Sequence, residues 1–175
     1  SDAGLYFQWG DIQGYTADQV GTTDGKKPFK WADYKFNPSG DSKTFSKYMD
    51  TGATLELADD AANANMGGDW HMPTPDQIQE LLDNTTNTWT AKDGVNGRLF
   101  KSKKDDSKSI FIPAAGCAWY GSIHDSGDGG YVWSSVLSTT NVSRGQNLNF
   151  SAGYAYLGNF NDNRDSGFSV RGVLG

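Results

Sequence analysis

The chain has 175 residues, among them 22 glycines, so we expect a single domain over residues 1–175 that is built from short strands and many turns. A net charge of −6 argues against nucleic acid and anionic membrane as partners, since phosphate binding needs a basic surface, and no apolar stretch approaches the ~18 residues needed for membrane insertion. The single cysteine, Cys117, excludes an internal disulfide and a cysteine-based zinc site.

The N-terminal third combines one predicted strand with a long loop. Residues 4–10 alternate apolar and polar side chains after a glycine, which is the period of a half-buried strand. Residues 11–50 show no sustained period, and their aromatic side chains are scattered through Gly, Pro and Lys. We therefore expect a long loop region that aromatic anchors hold in place.

Two helices are predicted in the middle of the chain. Residues 54–65 carry Ala and Leu at helical spacing, with Thr54 as the N-cap and the following glycine pair as the stop. The second helix begins at Pro75, because Thr74 is a suitable N-cap and proline is favoured at the first helical position. Its apolar face consists of Ile78, Leu81 and Leu82.

The second half of the chain predicts strands. Residues 98–101 and 109–113 are apolar runs on either side of a charged segment, the pattern of a hairpin with a solvated tip. Further strands are predicted over residues 131–135, 146–151, 154–157 and 168–173. Two helices followed by a run of short strands make an α+β domain.

No motif for catalysis or metal binding stands out. His71 is expected to be structural and His124 to be exposed, since no ligand spacing connects them to carboxylates. The stretch from Asp125 to Gly130 lacks the alternating oxygen ligands of a calcium loop and predicts a turn. The chain contains no nucleophile elbow, phosphate loop or paired-glutamate motif, so we expect no enzymatic activity, no cofactor and no metal.

Three stretches in a fixed order resemble a known family. They are Gly-Gly-Asp-Trp-His-Met-Pro-Thr-Pro-Asp-Gln-Ile-Gln-Glu-Leu-Leu from Gly67, Ser-Ile-Phe-Ile-Pro-Ala-Ala-Gly from Ser109, and Trp-Ser-Ser from Trp133 with Gly-Phe-Ser-Val-Arg from Gly167. Together they resemble the major paralogous domain of Fibrobacter and its relatives in Bacteroidetes of the human gut and their phages. The resemblance covers roughly residues 50–175. It implies a C-type-lectin-like fold, with two helices packed on short, mainly antiparallel strands and long loops.

The Asn-rich C-terminus resembles the variable region of proteins diversified by retroelements, the class that includes phage tropism determinants. In that class, mutagenesis of template adenines turns AAY codons into NNY codons, which never encode Trp, Met, Lys, Glu or Gln. After Lys108 the chain has no Lys, Glu or Met, and the only excluded residues are Trp119, Trp133 and Gln146. The resemblance thus implies a variable region over residues 117–163, although loops favour Asn and Ser in any case.

Alternation along residues 146–151 predicts which side chains face outward. Leu148 and Phe150 should enter the core, while Asn147, Asn149 and Ser151 should face solvent. The implied framework consists of Trp70, Trp119, Trp133, Leu148, Phe150 and Phe168. The implied variable, ligand-binding residues are Cys117, Ala118, Tyr120, Val136, Ser138, Thr140, Asn141, Ser143, Arg144, Asn147, Asn149, Ser151, Tyr154, Tyr156, Asn159 and Asn161.

The resemblance implies an adhesin or receptor-binding domain that binds a protein or glycan receptor on a cell surface. It also implies display on a virion tail fibre or a bacterial cell surface, as a homotrimer or as part of a larger fibre. The alternatives are a metal-independent carbohydrate-binding domain and a structural domain without a diversified site. An enzyme like the formylglycine-generating proteins is a weaker alternative, because those depend on a pair of cysteines and this chain has only Cys117.

Overall fold

The computed structural model describes residues 3–159 and 162–175. Within these ranges the chain forms two α-helices and eight strands, paired antiparallel in three small sheets, which confirms the predicted α+β class. The sheet orders are β1-β2-β3, β4-β5 and β6-β7-β8. The elements are α1 (Ala61–Met66), α2 (Pro75–Asn84), β1 (Thr85–Lys92), β2 (Val95–Ser102), β3 (Ser109–Pro113), β4 (Cys117–Trp119), β5 (Ser122–His124), β6 (Gly129–Leu137), β7 (Gly145–Ser151) and β8 (Ala155–Gly158).

The second predicted helix is confirmed and the first is shorter than predicted. Helix α2 has the capping box that its sequence indicates, since the Thr74 hydroxyl accepts from the Gln77 amide. Helix α1 begins only at Ala61, because Asp60 rather than Thr54 is the N-cap. The buried Asp60 carboxylate also accepts from the Met72 amide at 2.9 Å, so it joins the start of α1 to the segment before α2.

The predicted hairpin is confirmed as β2 and β3, and the three central strands of the C-terminal half are confirmed as β6, β7 and β8. Three strands were not predicted from the sequence. They are β1, which follows α2 directly, and the short pair β4 and β5. The predicted strands at residues 4–10 and 168–173 are wrong as strands. They form only isolated bridges, such as Phe7 with Phe168 and His71 with Val173.

The long N-terminal loop is ordered around a buried arginine. Arg164 is fully buried among aromatic rings, and its guanidinium carbon lies 4.1 Å from the centre of the Phe45 ring. Its Nε donates to the Tyr34 hydroxyl at 2.9 Å. Its terminal nitrogens donate to backbone carbonyls at 2.9–3.1 Å, namely those of Tyr48, Val142 and Lys47. The Arg164 side chain thus joins the N-terminal loop to the loop between β6 and β7. It does so within the aromatic residues that were expected to hold the N-terminal loop in place.

Replacing Arg164 should unfold this junction. In Arg164→Met the four acceptors of the guanidinium lose their donors inside the protein, so the free energy of unfolding should fall by at least about 3 kcal/mol. Arg171→Met is the matched control: Arg171 is exposed, and its loss should change stability by no more than ~0.5 kcal/mol. Chemical denaturation of both variants measures the difference, and equal stabilities would contradict the anchoring role.

Candidate ligand-binding surface

Four exposed aromatic side chains lie on two neighbouring hairpins. Tyr120 is at the tip of the β4–β5 hairpin, where it and Gly121 both have positive φ (50° and 77°), as a two-residue turn of type I′ requires. The centres of the Tyr120 and Trp119 rings lie 5.2 Å apart. Tyr154 and Tyr156, on the turn into β8 and on β8 itself, lie 5.3 Å apart. The exposed fractions of the four side chains range from 44% to 60%.

Tyr131 joins the two aromatic pairs. In the register of the sheet Asn149 lies opposite Tyr131 on one side and Tyr156 on the other, and directly opposed residues share a face. The Tyr131 ring also stacks on the Phe168 ring, with 4.9 Å between the ring centres. The Phe168 ring in turn stacks on that of the buried Trp133, with 4.0 Å between the centres. The surface aromatics are therefore continuous with the core.

A cavity of about 380 Å³ opens beside Tyr131. The Tyr131 hydroxyl donates to the Asp125 carboxylate at 2.8 Å, across the cavity wall. A second carboxylate, Asp162, accepts from the Asn147 amide at 2.6 Å. The lining therefore combines aromatic faces with acidic and amide groups. The lining residues are Cys117, Trp119, His124, Asp125, Tyr131, Asp162, Asn163, Ser166 and Phe168.

Burial raises the pKa of three groups that line this cavity, Cys117, Tyr131 and Asp162. Burial, followed by the nearby Asp125 and Asp162, raises the pKa of Cys117 to about 12. Its thiol is therefore protonated at neutral pH and is a poor nucleophile. Burial also raises the pKa of Asp162, against the effect of its hydrogen bond from Asn147. For Tyr131, burial and the bond to Asp125 raise the pKa of the phenol.

The prediction that Asn147 and Asn149 face solvent is wrong. Alternation along β7 holds, since Leu148 and Phe150 are buried on the core side, but the opposite face is covered as well. The reason is that β7 is the central strand of its sheet. Asn149 is enclosed by its cross-strand tyrosines, and Asn147 lies opposite Trp133 and donates to Asp162.

The polar residues of the β6–β7 loop hold the loop together. The buried Ser138 hydroxyl donates to the Asn159 carbonyl at 2.8 Å. The Asn141 side chain accepts from both the amide and the hydroxyl of Ser143, at 3.0 and 2.7 Å. The hydrogen-bonding groups of these side chains therefore stabilise the loop itself, as those of Asn and Ser commonly do in turns.

The structure sorts the predicted variable residues into three groups by exposure. The exposed ones are Tyr120, Thr140, Tyr154 and Tyr156. The partly exposed ones are Cys117, Val136, Asn141, Arg144, Ser151 and Asn159. The buried ones, for which an outward position is wrong, are Ala118, Ser138, Ser143, Asn147 and Asn149. Asn161 lies outside the described residues.

Among the predicted framework residues, Trp133, Leu148, Phe150 and Phe168 are buried as expected. Trp70 is partly buried. Trp119 is the exception, because 44% of it is exposed and it is therefore not a core residue. It sits at the end of a three-residue strand whose other face, through the buried Ala118, already packs on the core.

Sequence reasoning missed the carboxylates of the cavity. Asp125 was expected only as part of a turn, which the structure confirms, since its carbonyl accepts from the Asp128 and Gly129 amides. Asp162 was overlooked, although it is the first carboxylate after Asp128 along the sequence. The available signal was the absence of any other carboxylate from residues 129–161.

The two histidines behave as predicted. The His71 ring lies 2.7 Å from the Met72 carbonyl and 3.2 Å from the Gly175 carbonyl, which is a structural role. His124 is exposed, and its ring packs against Trp119 at 5.6 Å. Within residues 3–159 and 162–175, no three His, Cys, Asp or Glu side chains come together as a metal site would need.

Comparison of the chain with protein-family models, with curated proteins and with solved structures finds no match. Across the described part of the chain, no helix has the length and apolar character that a membrane crossing requires.

Asp165, behind the cavity, makes stability depend on pH. Burial raises its pKa from 3.8 to about 7, and one of its oxygens accepts no hydrogen bond from the described residues. Between these two values the folded protein keeps a proton that the unfolded chain loses. The free energy of unfolding should therefore fall as pH rises from about 4 to 7, by up to ~1.4 kcal/mol per pH unit from this group.

Asp165→Asn should remove that slope, so the variant should gain stability relative to the native protein between pH 4 and 7. Asp106→Asn, at an exposed site between β2 and β3, is the control and should leave the slope unchanged. Denaturant titrations at several pH values measure both, and parallel pH profiles for Asp165→Asn and the native protein would contradict the assignment.

Proposed function

We propose that the protein is a receptor-binding domain with a C-type-lectin-like fold, and that its exposed aromatic surface recognises a protein or glycan on a cell surface. The ordered motifs that begin at Gly67, Ser109 and Trp133 support this family. The two helices and the small antiparallel sheets are compatible with such a fold. Display on a phage tail fibre or a bacterial surface, as a trimer or within a larger fibre, belongs to the same proposal.

The observation that carries the proposal is the exposure of aromatic side chains on a fixed backbone. Tyr120, Tyr154 and Tyr156 each leave about half of the side chain accessible while the strands beneath them pack on Trp133 and Phe168. Tyrosine supplies large contact area and a hydroxyl at little conformational cost, which is why binding surfaces are rich in it. Multivalent display would raise a modest single-site affinity by ~10²–10⁴-fold.

Diversification by a retroelement is part of the proposal, but with fewer variable residues than the sequence implied. Residues free to vary must be exposed and must not hold the loops together. Tyr120, Tyr154 and Tyr156 meet both conditions, whereas the exposed Thr140 does not, because its hydroxyl forms a hydrogen bond with that of Ser138 at 3.2 Å. Buried Asn147 and Asn149 belong with the framework in this version, since replacing either would disturb the sheet.

We favour binding over catalysis because burial raises the pKa of the single thiol to about 12, which makes it a poor nucleophile at neutral pH. The cavity beside Tyr131 favours one second candidate, a metal-independent carbohydrate site. Aromatic faces next to carboxylate and amide groups suit the apolar faces and hydroxyls of a sugar ring, and Asp125, Asp162 and Asn163 supply those groups here.

Tyr154→Ala and Tyr156→Ala should each weaken binding of fluorescently labelled protein to intact gut Bacteroidetes cells by at least about tenfold, as expected for aromatic anchors of an interface. Their melting temperatures should stay within a few degrees of the native value, because both rings are half exposed. Flow cytometry over a concentration series measures binding, and differential scanning calorimetry measures stability.

Leu57→Ala is the matched control, since Leu57 is 62% exposed outside this surface and its loss should not change binding. Asp162→Asn separates the two candidate functions. Loss of binding in Asp162→Asn with full binding in both tyrosine variants would replace the aromatic surface by the cavity. Full binding in all three variants would contradict both.

A further inference from the structure

A second cavity lies on the other face of the β6–β7–β8 sheet. Its volume is about 490 Å³, within the ~300–1,000 Å³ range of small-molecule sites. Two adjacent residues of β6 line different cavities: Tyr131 lines the cavity of about 380 Å³ described above, and Val132 lines this one. Successive residues of a strand point to opposite faces, so the two sites are independent.

The walls of this cavity are aliphatic and come from three parts of the chain. Helix α2 supplies Ile78 and Leu81, strand β3 supplies Ile110 and Ile112, and the floor is Val132 and Leu148. Four of these side chains are less than 5% exposed, whereas Ile110 at the mouth is 44% exposed. The cavity therefore reaches from solvent into the apolar core beneath α2.

The polar groups around the mouth are mostly engaged. The Thr85 hydroxyl donates to the Leu81 carbonyl at 2.6 Å, and the Asn84 amide donates to the Glu80 carbonyl at 3.0 Å. The Ser102 hydroxyl accepts from the amides of Lys104 and Asp105. These groups have partners already and need none from a ligand.

Two exposed charged side chains also line the cavity. Glu80 belongs to α2, and Arg171 lies on the C-terminal segment. Within residues 3–159 and 162–175 Arg171 makes neither an ion pair nor a hydrogen bond, although its guanidinium has five donors. Arg171 also lines a second cavity of about 250 Å³, beyond Ile112, so a cation stands between two apolar spaces.

We propose that this cavity binds a free single-chain amphiphile, with its hydrocarbon chain on the aliphatic walls and an anionic head group at Arg171. The apolar walls select the chain, at roughly 25 cal/mol per Å² of buried surface. The free guanidinium selects a carboxylate or a similar anion, which it can bind through two parallel hydrogen bonds. Glu80, the other charged residue of the lining, repels that head group and so favours its placement at Arg171.

Dodecanoate, used below its micelle-forming concentration, tests the site on the full chain. Calorimetry should give one bound molecule per protein, and methyl resonances of Ile78, Ile112 and Leu148 should shift in NMR spectra. Arg171→Gln should weaken dodecanoate binding about tenfold, the effect of losing one charge-assisted interaction, and should leave dodecanol binding unchanged. Glu80→Gln, the matched control at the other charged residue of the lining, should not weaken dodecanoate binding.

Ile110→Asp places a charge at the mouth and should abolish binding of both dodecanoate and dodecanol, while its half-exposed position allows the fold to persist. Four outcomes would overturn the proposal: no saturable dodecanoate binding, equal dodecanoate affinity in Arg171→Gln and the native protein, preference for dodecylammonium with loss in Glu80→Gln, or binding to phosphatidylglycerol vesicles without binding to monomeric dodecanoate. The receptor-binding surface is unaffected by any of them.

Discussion

A single buried cation holds the two ends of this domain together. The Arg164 guanidinium has no carboxylate partner among its described contacts, and hydrogen bonds to one hydroxyl and three carbonyls stabilise its charge together with the surrounding aromatic rings. Its own backbone continues the junction, because its amide donates to the Ser143 carbonyl and its carbonyl accepts from the Trp9 amide. A long loop with little regular structure is thereby ordered without a disulfide.

The junction at Arg164 also fixes the segment that supports the β6–β7–β8 sheet. From Arg164 the chain runs through Phe168, whose ring lies between those of Tyr131 and Trp133. One face of the β6–β7–β8 sheet is thus held by stacked rings that end in exposed tyrosines, and the other face closes over the aliphatic cavity. Strand alternation gives one small sheet two chemically different surfaces.

The features that local sequence encodes were predictable. The Thr74 cap with Pro75 located α2, and alternation assigned Leu148 and Phe150 to the core. The features that depend on distant partners were not. Nothing near Asn147 in sequence indicates that Asp162 and Trp133 cover it, and nothing near Arg164 indicates its buried position. Outward-facing residues were over-predicted because alternation identifies the opposite face of a strand without showing what covers that face.

The most direct test of the central claim, that exposed side chains vary over a fixed framework, is the DNA beside the gene. The account predicts a near-copy of its 3′ end next to a reverse transcriptase, with differences mainly at adenines of the template. Those differences should fall on the codons of Tyr120, Tyr154 and Tyr156 and should spare Trp133 and Arg164. Absence of such a copy, or differences concentrated in the codons of the buried residues, would contradict it.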